Sequence, residues 1–108
     1  MTGLAQPLTL PCGATLGNRL AKSAMSEALG NAKLDATPAL ARLYETWAAG
    51  GAGLLITGNV MVQRGHLGER GNVVFDDQTD LAASRAWAAA ATQHGTPCWV
   101  QLNHPGRQ

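Results

Sequence analysis

The chain has 108 residues, of which 45% are hydrophobic and 14% charged, and its formal net charge is +1. That length holds one small domain or a piece of a larger one, and the apolar fraction marks a globular chain with ample core material. Near-neutral charge spread along the sequence argues against nucleic acid and membrane surfaces as partners.

The opening "MTGLAQPLTL" has no basic region followed by a long apolar run, so it does not read as a secretory signal. Every apolar run falls far short of the roughly 20 residues that cross a bilayer. Cys12 and Cys98, the two cysteines, form no CxxC pair and read as reduced, buried or half-buried thiols. A cytoplasmic location is the expectation that follows.

"PLTLPCGATLGNRL" holds two short alternating runs, Leu8–Leu10 and Thr15–Leu16, around the breaker group Pro11-Cys12-Gly13. This predicts a β-hairpin. A third run, Leu20 to Ala24, follows and leads into the polar stretch "MSEALGNAKLDA". Thr37 can then cap a helix, with Pro38 at its first position. Leu40, Leu43, Tyr44, Trp47 and Ala48 fall on one helical face, and Gly50-Gly51 ends the helix.

Leu54 to Thr57 make an apolar run without alternation, the pattern of a strand buried on both faces. A long loop with Gly65, Gly68 and Gly71 comes next. A second helical pattern spans Gln78 to His94, with Ala83, Trp87, Ala90, Ala91 and His94 on one face. Gly95 and Pro97 stop it, and Cys98 to Leu102 form the next strand. The order is hairpin, then strand–helix–strand–helix–strand, which means parallel β/α architecture. Strand starts roughly 35 to 45 residues apart fit the first three-eighths of an eight-stranded TIM barrel.

Several patterns that suggest chemistry have plainer readings. The glycines of "GGAGLL" follow a helix and open a strand, the reverse of a dinucleotide fingerprint. His66, His94 and His104 lack metal-ligand spacing, so no metal is expected. His94 suits the dipole at a helix end, and Asp76, Asp77 and Asp80 suit the start of the second helix. What remains is positional, because function in parallel β/α folds collects at the carboxyl ends of the strands. Those ends are "AMSE", "TGN" and "QLNHPGR", carrying Ser26 and Glu27, then Thr57, Gly58 and Asn59, then Gln101, Asn103, His104 and Arg107. Gln101 stands out, since an amide near the end of a buried strand needs partners for both of its polar groups. It can match the donor–acceptor edge of a heterocycle, or belong to a polar layer inside the barrel.

"LTLPCGATLGNRLAKSAMSE", "GGAGLLITGNVMV" and "WVQLNHPGRQ", in this order and spacing, resemble the amino-terminal third of the Old Yellow Enzyme family. The resemblance covers about Leu4 to Gln108. It implies a (β/α)8 barrel plugged by a hairpin at roughly residues 6–18, with three barrel strands and two helices over roughly 20–108 and the remainder absent. It also implies FMN across the carboxyl-terminal mouth and NAD(P)H as reductant. In the family, the segment matching Ala24-Met25-Ser26 runs beside the flavin, and Ser26 matches the position that tunes its potential. Asn59 matches a flavin-contacting position that is usually smaller, and Gln101 matches the glutamine that bonds the pyrimidine edge. His104 and Arg107 match a loop read as mainly structural.

Glu27, Ala28 and Leu29 stand where some members carry a substrate-binding tyrosine. The substrate-polarising pair, the proton donor and the phosphate site belong to later strands in the family, so catalytic residues are expected beyond Gln108. The implied activity is reduction of activated alkenes, such as α,β-unsaturated carbonyl compounds, using hydride from NAD(P)H. The expected partners are a small-molecule substrate and either a second copy of the chain or the missing part of the barrel. The alternatives are a non-catalytic fragment or split subunit ordered by a partner chain, or a related flavin barrel acting on dienoyl thioesters or amines.

Overall fold

A computed structural model describes residues 3–107. The hairpin forms as expected: β1 (Leu8–Thr9) pairs antiparallel with β2 (Thr15–Leu16), with Leu8 opposite Leu16 and Thr9 opposite Thr15. Cys12 lies at its turn and is exposed, against the expectation of a buried or half-buried thiol. The turn projects from a two-stranded ribbon, so nothing packs over it. Asn18 anchors the hairpin's exit, since its Nδ2 donates to the Gly51 carbonyl at 2.6 Å while its Oδ1 accepts from Leu20 N.

The main sheet is parallel and centred on β4 (Leu54–Met61). β3 (Ala21–Lys22) pairs with its first two residues, and β6 (Cys98–Asn103) runs along its other edge. Of the run Leu20 to Ala24, only Ala21 and Lys22 are paired as strand. The stretch between β4 and the second helix contains a strand that the sequence does not announce, β5 (Val73–Val74), paired with Val60 and Met61. Because β6 occupies one edge of β4, β3 and β5 share the other, leaving a gap between them.

α1 (Pro38–Ala49) starts where the sequence signals it: Thr37 Oγ1 accepts from Leu40 N at 3.2 Å, and Pro38 occupies the first turn. Beyond its end, Gly51 takes φ +97°, a left-handed conformation that glycine adopts without a steric cost. α2 (Leu81–Thr92) starts three residues later than Gln78. Asp76 and Thr79 prevent the earlier start. Asp76 Oδ1 accepts from Gln78 N, and Thr79 Oγ1 accepts from Asp76 N while donating to the Val74 carbonyl, so 76–79 close into a turn.

Only Asp80 of the three aspartates caps the helix, accepting from Ala83 N, whereas Asp76 pairs with Arg64 and Asp77 is exposed. His94 lies beyond the helix end, exposed, against Gln93. Leu40, Tyr44 and Ala48 of α1 and Trp87 and Ala91 of α2 pack with Leu55, Val60 and Val73 of the sheet into one core. Tyr44 is at its centre, edge-on to Trp47 at 5.2 Å and to Trp87 at 5.4 Å. No helix among the described residues is long and apolar enough to cross a membrane.

Candidate cofactor site

β4 does not end at Thr57 but continues through Thr57-Gly58-Asn59 to Met61, so "TGN" lies within the strand rather than after it. Its pairing with β6 contains an irregularity that decides where these residues point. Ile56 is opposite Trp99 and Asn59 is opposite Gln101, so Thr57 and Gly58 together face the single residue Val100. This is a β-bulge. Thr57 Oγ1 closes it by accepting from Gln101 N at 3.0 Å.

Strand side chains alternate between faces, so residues an odd number apart should point oppositely. Leu55 and Val60 are five apart, yet both lie in the core beneath the helices. The extra bulge residue restores agreement and turns Asn59 to the other face. On β6, Cys98 and Val100 line a groove against α2, which places Trp99 and Gln101 on the face away from the helices. Asn59 and Gln101 are therefore register neighbours on the helix-free face. Their side-chain amides make no hydrogen bond among the described residues.

The loop after β3 borders the same place. Gly58 sits so close to it that a Cβ there would run into the Met25 carbonyl and come within 2.6 Å of Glu27 Oε1. The backbone of Met25 is thus pressed against the residue preceding Asn59. Ala24 is half-buried, whereas Met25 and Ser26 are exposed. The Ser26 hydroxyl also has no partner among the described residues. Four of the five sequence-predicted positions (Met25, Ser26, Asn59 and Gln101) thus cluster at or beside the bulge, and Ala24 flanks them. One expectation needs correction: Gln101 does not sit in a buried strand, because β6 is mostly exposed and pairs only with β4.

Behind this face lies a polar cluster that sequence reasoning did not single out. Glu27 Oε2 accepts from Gly58 N at 3.0 Å and from the Tyr44 hydroxyl. Lys22 Nζ donates to the same hydroxyl at 3.2 Å and lies 4.6 Å from the Trp47 ring centre. Burial, reinforced by the Glu27 carboxylate, pushes the Tyr44 hydroxyl far above its usual pKa. Burial pulls the Lys22 ammonium down, and Glu27 opposes that shift. Burial likewise raises the nearby Cys98 thiol, keeping it protonated. The only cue in the sequence was Glu27 as a polar group at the carboxyl end of the first barrel strand, which does not reveal its partners.

The loop after β6 is held by His104, whose Nε2 meets Gln63 Oε1 at 2.8 Å and whose Nδ1 accepts from Gly106 N at 2.9 Å. His66 stacks at a tilt against it, with ring centres 5.2 Å apart. These contacts are structural. No group of three or more His, Cys, Asp or Glu side chains that could hold a metal occurs among the described residues.

No family model matches the sequence. Curated relatives do. An NADH-dependent flavin oxidoreductase of Hypocrea jecorina (strain QM6a) is 46% identical over 106 residues, covering 94% of this chain and 26% of the relative. A protein of the same description from Talaromyces variabilis is 43% identical over 109 residues, covering 97% of this chain and 26% of its own length. The chain thus spans about a quarter of the length of these relatives. Among solved structures, the old yellow enzyme from Trypanosoma cruzi superposes with a TM-score of 0.83 at 25% identity, covering 96% of this chain and 27% of that one. The fold is accordingly the amino-terminal part of a (β/α)8 barrel, with the hairpin at its start and β3, β4 and β6 as its first three barrel strands.

Proposed function

We propose, for a chain whose sequence and fold both carry the resemblance to the Old Yellow Enzyme family, that it forms the flavin-contacting first part of an FMN-dependent oxidoreductase. The whole protein would take hydride from NAD(P)H and reduce activated alkenes, as the resemblance implies. The observation that carries the proposal is the pairing of Asn59 with Gln101, two unpartnered amides in register beside the exposed residues Met25 and Ser26.

That arrangement suits the edge of a planar heterocycle. Gln101 offers a carbonyl acceptor and an NH₂ donor side by side, the pairing that a pyrimidine-dione edge requires. Met25 and Ser26 offer main-chain groups, and the Ser26 hydroxyl can donate to a ring carbonyl. A hydroxyl so placed favours the more electron-rich, reduced ring. Bound FMN supplies the hydride chemistry, while this chain's residues hold and orient the ring. Groups that polarise a substrate, donate a proton or grip the phosphate are assigned to later strands.

The test uses the full-length protein. It should purify with a flavin absorption spectrum and oxidise NAD(P)H in the presence of an α,β-unsaturated carbonyl compound. Gln101→Ala should leave hydrogen-bonding groups of the ring unmatched, at a cost of about 1–3 kcal/mol. FMN would then bind on the order of 10- to 100-fold more weakly. A folded Gln101→Ala protein with native FMN affinity would remove Gln101 from the site. A wild-type protein that takes up no flavin would overturn the proposal itself.

A further inference from the structure

The bulge in β4 turns Asn59 away from the helices, and a bulge needs something to hold it. An inserted residue leaves the regular ladder, so its backbone polar groups must find other partners. Gly58 finds Glu27. Its N–H points to the Glu27 carboxylate at 3.0 Å and is shared with the Tyr44 hydroxyl at 3.3 Å. The gap between β3 and β5 on that edge of β4 is where Glu27 reaches in. Tyr44 is fully buried, so its hydroxyl holds the carboxylate from the helix side, with Lys22 joining from β3. Charge-assisted hydrogen bonds of this kind are stronger than neutral ones.

The loop facing Gly58 is fixed by the same residue. Glu27 follows Met25-Ser26 directly, and the chain then turns through Ala28, a non-glycine residue at φ +57°. That conformation is uncommon for alanine and persists only where its surroundings enforce it. Gly71 packs directly against the Ala28 backbone, and Gly30 N donates to the Gly71 carbonyl at 2.8 Å. Glu27 is therefore tied on one side to the Met25–Ser26 backbone and on the other to the residue whose insertion aims Asn59.

We infer that Glu27, braced by Tyr44 and Lys22, is a positioning residue for the flavin: it locks the Thr57–Gly58 bulge and so sets the spacing between the Met25–Ser26 backbone and the Asn59–Gln101 pair. Glu27 touches no cofactor itself. The inference rests on the flavin reading above and assigns to the carboxylate a role separate from that of Gln101.

The experiment compares three variants of the full-length holoprotein: Glu27→Ala, Glu27→Gln and Tyr44→Phe. For each, FMN affinity, the flavin absorption spectrum and the thermal midpoint are measured. Glu27→Ala should weaken FMN binding about tenfold or more and shift the flavin absorption bands. Glu27→Gln keeps an oxygen acceptor for Gly58 N and should stay within about threefold of the native affinity, a rescue by the conservative residue.

If Glu27→Ala does not fold, Tyr44→Phe carries the test. It keeps the ring packing, removes the hydroxyl that braces the carboxylate, and should weaken FMN about threefold or more. The inference is overturned if folded Glu27→Ala, or Tyr44→Phe in its place, lowers only the thermal midpoint and leaves FMN affinity and spectrum native. Gln101→Ala separates the two failures. Weak FMN binding in that variant beside native binding in Glu27→Ala overturns the positioning role alone, whereas native binding in both overturns the flavin site and the positioning role with it.

Discussion

β4 and β6 are neighbouring parallel strands of similar apolar character, "LLITGNVM" and "CWVQLN", yet one is enclosed and the other is not. In β4 no residue is exposed, because α1 and α2 cover one face and neighbouring strands pair with both edges. In β6 the four central residues are exposed, with Leu102 at 62% and Trp99 at 47%. Composition therefore marks both segments as strands but does not say which is covered. Coverage is a property of neighbours. The exposed apolar side chains of β6, and the groove of about 350 Å³ between Val100 and α2, make a surface that the described residues leave open.

The strongest way to break this contrast is to delete equivalent leucines from the two strands. Leu55 is wholly buried in the helix-covered core, so Leu55→Ala should cost about 2–5 kcal/mol through lost burial and an incompletely collapsed cavity. Leu102→Ala should cost less than about 0.5 kcal/mol, as exposed positions usually do. Denaturant unfolding of this 108-residue chain measures both. Comparable losses would show that the outer face of β6 is covered in solution, by a second copy or another chain.

A smaller effect tests the bulge. Gly58→Ala would place a methyl group against the Met25 carbonyl, a backbone atom that cannot rotate away. Overpacking of this kind costs about 1–3 kcal/mol. Denaturation should detect that loss. A cost below about 0.5 kcal/mol would mean that the loop after β3 can retreat from β4, and that the contrast between a fixed β4 and an open β6 is overstated.

The bulge also marks the limit of what the sequence reveals. The hairpin was legible because Pro11-Cys12-Gly13 separates two alternating runs. α1 was legible because Thr37, Pro38 and a five-residue apolar face all agree on one element. α2 was legible in type but not in its start, since Asp76 and Thr79 spend their hydrogen bonds on a turn before the helix.

β5 escaped notice because two valines are too few to show a period, and their partner strand supplies the pairing. Ser26, Asn59 and Gln101 were legible as polar groups at the carboxyl ends of strands, whereas Met25 and the flavin-contacting role of all four came from the resemblance. Counting by twos along β4 would have pointed Asn59 at the helices. Only an inserted residue reverses that, and its one cue in "LLITGNVM" is Gly58, since a glycine inside a strand often marks a bulge or a close backbone approach. Glu27 was legible only as a polar group at a strand end; its role was not, because its partners Tyr44 and Gly58 lie 17 and 31 residues away.

The two helix caps sharpen the comparison further, since they hold the helices that enclose β4. Thr37 Oγ1 accepts from Leu40 N and also donates to the Leu29 carbonyl at 2.7 Å, tying α1 to the loop after β3. Asp80 makes a single side-chain capping bond, to Ala83 N at 3.1 Å. Thr37→Ala should therefore cost about 1–2 kcal/mol and Asp80→Ala about 0.5–1 kcal/mol, within the usual range for caps. Equal losses would mean that the second bond of Thr37 contributes little.

The smallest expected effect lies at the outer rim of the enclosed region. Arg64 grips Asp76 through Nε at 3.0 Å and Nη2 at 2.9 Å, and donates from Nη1 to the Lys33 carbonyl at 2.7 Å. The loop after β4 is thus fastened both to the segment before α2 and to the loop before α1. The Arg64 hydrogen bonds, with help from Gln78 N, hold the Asp76 carboxyl below its ordinary pKa. A group whose pKa is depressed on folding contributes stability above its unfolded pKa, about 3.9 for aspartate, and loses it as pH falls through the folded value. Both side chains are only partly buried and solvent screens the pair, so the contribution is small. The thermal midpoint of the native chain should therefore fall slightly faster than that of Asp76→Asn as pH drops below about 4, and the gap should narrow in high salt. Midpoints followed from about pH 6 down to pH 3 in both proteins provide the measurement. Parallel curves would show that the Arg64–Asp76 bridge fastens the loop without adding stability.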